Sequence, residues 1–228
     1  MTLWLRLLLL ALVAAPAPAL AQVPPGKAEI AAYRGLHAAA AKGDTTEIEK
    51  LVKAGSPLDA RDDHKRTPLH VAAHLRRFEA AALLMKLGAD ANALDADKYD
   101  IVTIAAVADD VAMLKIALAG GCKATNITSR YDGTALIAAA HLGHDEVVRT
   151  LIAAKAPLDH VNNLHWTALI ESIVLGDGGK RHTATLEALV KAGANLSLAD
   201  RNGNTPLTLA RGRGYTEMVA ILTAAGAR

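Results

Sequence analysis

The sequence contains one cysteine and few aromatic residues. Cys122 cannot form an intramolecular disulfide, so we expect the fold to depend on packing alone. Four tyrosines, two tryptophans and one phenylalanine are its only aromatic residues, and alanine and leucine dominate the 228-residue chain. This composition favours helix over strand. The formal net charge is +2, without the basic excess of a nucleic-acid-binding protein. The sequence therefore predicts an all-α fold that does not bind nucleic acid.

Catalytic motifs are also missing. The chain has no His-Glu-x-x-His, Cys-x-x-Cys or Gly-x-Ser-x-Gly pattern. Nine histidines leave a metal site conceivable, with His160 beside His165, or His141 beside Glu171, as its candidate ligands. We nevertheless expect no metal, no cofactor and no enzyme activity. We interpret Cys122 as a small residue at a helix–loop junction, because a reactive thiol would need a stronger cationic environment.

The N-terminal segment has the pattern of a secretory signal. Residues 3–15 are almost wholly apolar, and two prolines follow. This stretch is too short for a stable membrane-spanning helix, and small residues occupy the −3 and −1 positions of a cleavage site before Gln22. We expect residues 1–21 to be removed on export to a periplasm or beyond, although an uncleaved membrane anchor is the alternative. Residues 22–27 are predicted to be a disordered lead-in, and no later segment is expected to enter a membrane.

Two short sequence motifs recur along the rest of the chain. The first is Thr-Pro-Leu-His or a variant of it, and its six copies begin at Arg34, Thr67, Asp100, Thr134, Thr167 and Thr205. The second consists of Gly55, Gly88, Gly121, Lys155, Gly193 and Gly226. A threonine can cap a helix whose first turn accepts proline, whereas glycine suits the left-handed residue after a helix. Each period of about 33 residues therefore predicts a helix–turn–helix unit.

These units resemble ankyrin repeats over residues 28–228. The segment 88–93, Gly-Ala-Asp-Ala-Asn-Ala, is similar to the family's segment after the second helix, and 143–148 is similar to the start of that helix. The resemblance implies an all-α solenoid of helix–turn–helix units with short β-hairpin-like finger loops. We expect a monomer. The approximate boundaries of its repeats 1 to 6 are 28–60, 61–93, 94–126, 127–160, 161–198 and 199–228.

Three departures from the repeat pattern carry predictions. Repeat 3 lacks the glycine before its second helix and is expected to be the least regular unit. Lys155 replaces a glycine and should destabilise the chain by about 1 kcal/mol if its backbone is left-handed. The glycine-rich insertion 176–180 lacks the spacing of a phosphate-binding loop, so we expect a flexible extended loop there.

The family resemblance implies that the first helices and fingers line a concave face that binds a protein. The candidate contact residues on this face are Val71, His74, Ile104, Val107, Tyr131, His141, His165, Trp166, Glu171 and Val174. An alternative interpretation is that Val71 and Ile104 fill gaps between repeats and that Trp166 packs against the next finger. The early fingers are rich in aspartate and the later ones in histidine, arginine and aromatic residues, so a partner of opposed charge would fit.

The predicted function is that of an exported, non-catalytic scaffold or adaptor. Similarity to exported bacterial ankyrin proteins implies support of an envelope or antioxidant enzyme such as catalase. The alternatives are an immunity protein that neutralises a periplasmic toxin and, less favoured, a histidine-based metal-binding protein.

Overall fold

The computed structural model describes residues 23–228, and within that range it contains thirteen helices and no strand. This confirms the predicted all-α fold. The predicted signal, residues 1–21, lies outside the described residues. In chain order the helices are α1 (Lys27–Ala32), α2 (Gly35–Lys42), α3 (Thr45–Lys53), α4 (Pro68–His74), α5 (Phe78–Lys86), α6 (Ile101–Val107), α7 (Val111–Ala119), α8 (Ala135–Leu142), α9 (Asp145–Ala153), α10 (Ala168–Val174), α11 (Lys180–Lys191), α12 (Pro206–Gly212) and α13 (Thr216–Ala224).

From α2 onward the helices form pairs that stack in two layers. The first helix of each pair contacts the first helices of its neighbours, and the second helices contact one another in the same way. Small side chains occupy the centre of the first layer and are almost completely buried there: Ala39, Ala72, Ala105, Ala139, Ser172 and Ala210. Because these side chains are small, neighbouring helices can approach closely over a continuous core. None of the helices among the described residues is long and apolar enough to cross a membrane.

The recurring threonine caps the first helix as the sequence predicted. The side chains of Thr67, Thr134, Thr167 and Thr205 each accept a hydrogen bond from the backbone N–H three residues later. In repeat 3, Asp100 accepts the equivalent bond from Thr103. Such a bond satisfies one of the backbone donors left free at a helix start.

Repeat 3 is regular, so the prediction that it would be the least regular unit is wrong. Its helices α6 and α7 have seven and nine residues, the same lengths as α4 and α5. Asp109 replaces the missing glycine at a left-handed φ of 55°, a conformation that aspartate tolerates better than most residues. Repeat 5 departs from the pattern instead, because α11 has twelve residues.

The insertion 176–180 contacts repeat 6 directly and repeat 4 through His182 of α11, which corrects the prediction of a flexible extended loop. Tyr215 in repeat 6 donates its hydroxyl hydrogen to the Gly176 carbonyl, at 2.8 Å. On the other side, Oδ1 of Asp177 lies 2.8 Å from Nδ1 of His182 in α11, and Nε2 of His182 lies 3.0 Å from the carbonyl oxygen of His141 in α8. A Cβ at Gly178 would lie 2.4 Å from the Tyr215 ring, so only glycine fits this close approach. The insertion, which we call the strap, is therefore joined to repeat 6 directly and to repeat 4 through His182.

Residues 23–33 cover the start of the stack, in contrast to the predicted disordered lead-in over 22–27. Pro25 is buried and α1 already begins at Lys27. The cover is held by Arg66, a fully buried side chain whose guanidinium donates to Asp62, to Glu29 and to the carbonyl of Val23. A buried guanidinium needs such partners, because an unpaired charge in the core is strongly destabilising.

Candidate partner-binding surface

The fingers form a row beside the first helices. Each finger is closed by one backbone hydrogen bond of 2.8–3.1 Å, between Asp62 and Arg66, Asp95 and Tyr99, Thr128 and Gly133, Asn162 and Trp166, or Asp200 and Asn204. The fingers are thus hairpin-like, although only Thr128 and Gly133 form a β-bridge within the described chain. We call the surface formed by the first helices and these fingers the inner face.

Backbone bonds also join successive fingers. The N–H groups of Ala96, Ser129 and Asn163 each donate to a carbonyl of the preceding finger, at 2.9–3.0 Å. At the next junction the Arg201 side chain donates to the Asn163 carbonyl. The fingers of repeats 2 to 5 are therefore held in a fixed register, which pre-organises the side chains that they present.

Val71 and Ile104 do not lie on the inner surface, so their prediction as contact residues is wrong. Their side chains are 0% and 1% exposed. Each sits on a first helix that packs between two others, and a branched side chain at this position is enclosed by its neighbours. The alternative interpretation, that they fill gaps between repeats, describes their positions.

His141 and Glu171 approach one another across repeats 4 and 5. Nδ1 of His141 lies 3.4 Å from Oε2 of Glu171, whose other oxygen accepts a hydrogen bond of 2.8 Å from Asn162 Nδ2. The Glu171 side chain is 6% exposed and that of His141 is 31% exposed. Glu171 therefore lies beneath the surface that His141 forms. The residues described contain no group of three side chains arranged to hold a metal ion.

The remaining helical candidates, His74, Val107 and Val174, are half-buried on the inner face. Nε2 of His74 has no hydrogen-bond partner among the described residues. Burial lowers the pKa of His74 to about 4, so its ring is uncharged at neutral pH. His74 therefore contributes a neutral imidazole to the inner face and not a positive charge.

The finger candidates differ in exposure. Tyr131 is 39% exposed, His165 is exposed at a left-handed φ of 64°, and Trp166 is half-buried. The finger charges are partly neutralised within the chain, because Arg130 pairs with Asp97 at 2.8 Å and Lys98 lies 3.8 Å from Asp132. The finger of repeat 5, residues 162–166, has no aspartate, glutamate, lysine or arginine. The centre of the finger row is consequently close to neutral.

Most exposed large apolar side chains belong to repeats 4 and 5, and the sequence analysis missed all but one of them. Six of the seven in the described part of the chain fall there: Ile127, Tyr131, Leu142, Val161, Leu164 and Leu175. Leu142 and Leu175 occupy equivalent positions at the C-terminal ends of α8 and α10. The other four lie in or beside the fingers at the opposite end of these helices. The detectable signal was an apolar residue at finger and helix-end positions that are usually polar.

Cys122 is confirmed as a packed side chain at a helix–loop junction. It is 6% exposed, and its Sγ donates to the Ala91 carbonyl at 3.1 Å. Burial raises the pKa of its thiol to about 12, which keeps the thiol protonated at neutral pH.

Paired helices stacked in two layers, with a row of fingers along one side, define a helical repeat protein that presents a surface for binding. A family model described as ankyrin repeats (3 copies) matches residues 23–95 and 102–200. The chain belongs to the ankyrin repeat family, whose members generally mediate protein binding and are typically non-catalytic.

Bacterial ankyrin repeat proteins are among its relatives. The chain is 33% identical to the ankyrin repeat protein YahD of Escherichia coli (strain K12), over 83% of this chain and 94% of that protein. A crystal structure of an ankyrin repeat domain from Acinetobacter baumannii AYE (ABAYE2397) is 44% identical, with a TM-score of 0.80 over 85% of this chain and 98% of that one. The structure of the ankyrin repeat protein EF0377 is 30% identical, with a TM-score of 0.77 over 84% and 98% of the two chains.

Proposed function

We propose that this protein is a non-catalytic scaffold that binds a protein partner in the periplasm through the inner face of repeats 4 and 5. Its proposed role is to support an envelope or antioxidant enzyme. The observation that carries the proposal is the concentration of exposed apolar side chains between residues 127 and 175. Exposed apolar groups that cluster on one part of a surface mark interaction sites.

The two groups of apolar side chains lie at opposite ends of α8 and α10. These helices have eight and seven residues, and at a rise of about 1.5 Å per residue they separate the groups by roughly 10 Å. A partner that covers both groups must cross the helices and cover the half-buried side chains of His141 and Val174. Such a partner would bury both apolar groups, and the removal of apolar surface from water favours binding.

Site-specific photo-crosslinking tests the surface. A photoreactive phenylalanine analogue replaces Leu164 in one variant and Lys115, an exposed residue of α7 in the opposite layer, in the control. After irradiation of intact cells, we expect a discrete adduct from the Leu164 position alone. Equal adducts from both positions would refute the proposed surface. The identity of the adduct separates the adaptor role, which predicts an enzyme, from the alternative immunity role, which predicts a toxin.

The periplasmic part of the proposal is supported by the secretory pattern of residues 1–21. It predicts that protein purified from the periplasmic fraction begins at Gln22. Intact-mass measurement checks this, and an amino terminus that retains Met1 would contradict it.

A further inference from the structure

Glu171 is the only charged residue at its position in the six first helices. The equivalent residues of the other repeats are all apolar: Ala38, Val71, Ile104, Ala138 and Leu209. Glu171 is nevertheless 4% exposed, so repeat 5 buries a carboxyl group where the other repeats bury or half-bury an apolar side chain. Burial of a carboxylate is unfavourable unless its charge is compensated.

The hydrogen bonds of the repeat 5 finger do not require a negative charge at Glu171. In three other fingers the side chain of Asp62, Asp95 or Asp200 accepts two backbone N–H bonds of its own finger. In repeat 5, Oδ1 of Asn162 accepts the equivalent pair, and its Nδ2 donates to Oε1 of Glu171. A neutral glutamine at position 171 would accept the same bond, so the finger requires an oxygen acceptor there but no negative charge.

The second carboxylate oxygen of Glu171 has few polar neighbours. Oε2 of Glu171 accepts no hydrogen bond from any described residue, and no lysine or arginine within residues 23–228 pairs with it. Its neighbour is Nδ1 of His141, at 3.4 Å, which carries a charge only when the ring is protonated. A cation supplied from outside would therefore pair with a carboxylate oxygen that no lysine or arginine of the described chain neutralises.

We infer that the partner presents a lysine or arginine side chain to Glu171, next to apolar residues that cover Leu142 and Leu175. This inference rests on the proposed function, because it specifies the chemistry of what the inner face binds. Leu142 and Leu175 are exposed at the C-terminal ends of α8 and α10, so apolar residues of the partner would bury them. An acidic side chain at the same place would be repelled by Glu171.

Selection from a random dodecapeptide library displayed on phage tests the inference and does not require the natural partner. The purified protein is the target, and we expect the enriched peptides to carry a lysine or arginine between apolar residues. The synthetic form of such a peptide should bind Glu171→Gln at least tenfold more weakly. Glu79→Gln, on the outer layer in α5, is the matched control and should bind with unchanged affinity. Because glutamine keeps the bond to Asn162, the variant should remain folded, which its thermal unfolding curve verifies.

The outcomes separate the inference from the proposed function. Enriched peptides that lack a basic residue, or that bind Glu171→Gln and the unaltered protein equally, overturn the inference. If Leu164→Asp then abolishes binding of the enriched peptides, only the inference is wrong and the proposed function stands. If Leu164→Asp has no effect on binding, the proposed function is wrong as well.

Discussion

Acidification should destabilise this protein through His74, a half-buried histidine on the inner face. Burial lowers the pKa of this side chain to about 4, below the ordinary value of 6.5. The folded state therefore takes up the proton less readily than the unfolded chain. The stability contributed by the neutral ring is complete above pH 6.5 and is lost as the pH falls toward 4. Linkage between the two values gives a loss of about 2 kcal/mol from pH 7.5 to pH 4.5.

Urea unfolding followed by circular dichroism at these two pH values measures this effect. His74→Gln removes the titrating group, so the stability of the variant relative to the unaltered protein should improve by about 2 kcal/mol between pH 7.5 and pH 4.5. His165→Gln is the control, because His165 is an exposed histidine at a fingertip. If the His74→Gln difference is the same at both pH values, then the ring is protonated without penalty in the folded state and the argument from burial is refuted.

Three further predictions concern the backbone of the repeats. Lys155→Gly should stabilise the fold by about 1 kcal/mol in urea unfolding, because Lys155 has a left-handed φ of 61°, whereas Lys115→Gly inside α7 should destabilise it by a similar amount. Thr134→Ala should remove the cap of α8 and lower the melting temperature by about 2–4 °C, for a loss of about 1 kcal/mol. Gly178→Ala should lose about 1–3 kcal/mol through overlap with the Tyr215 ring, and the penalty should shrink when Tyr215→Ala is also present; additive losses would count against that overlap.

The repeated part of the fold was predictable because its signals are local. A capping threonine, a buried leucine and a glycine after the second helix each act within a few residues, so their spacing alone predicts the helix pairs. The structure confirms that Lys155 has the left-handed backbone that its alignment with five glycines predicted. Asp100 shows the limit of motif matching, since its different side chain caps α6 as effectively as threonine does.

Contacts between distant repeats were not predictable from the period. Arg181 in the first turn of α11 donates to Asp109, 72 residues earlier and two repeats away, at 2.8 Å. The cover around Arg66 likewise joins residues that are more than 35 positions apart. Neither contact recurs from repeat to repeat, so the 33-residue period of the sequence does not predict it.

The sequence predicted which side of the first helices carries the candidate surface, but not how deeply each side chain is buried. Register placed Val71, His74 and Ile104 on the side of the first helices that carries the inner face, yet two of the three are fully buried. Depth depends on the size of the side chains that neighbouring helices bring to the same place, and a single motif position does not contain that information. The pair formed by His141 and Glu171 was predictable because α8 and α10 of adjacent repeats pack side by side, which places Glu171 next to a residue about one turn further along α8.

The strap and the candidate surface are physically connected through repeat 4. Asp177 of the strap pairs with His182 of α11, whose Nε2 lies 3.0 Å from the backbone carbonyl oxygen of His141, and the His141 side chain lies beside Glu171 on the inner face. A stack of repeats needs neither feature, since repeats 2 and 3 pack without them. Together these contacts restrain His141 beside Glu171, and side chains restrained in advance lose less entropy when the proposed partner binds. Gly178→Ala should therefore weaken partner binding as well as stability, although Gly178 lies outside the contact surface.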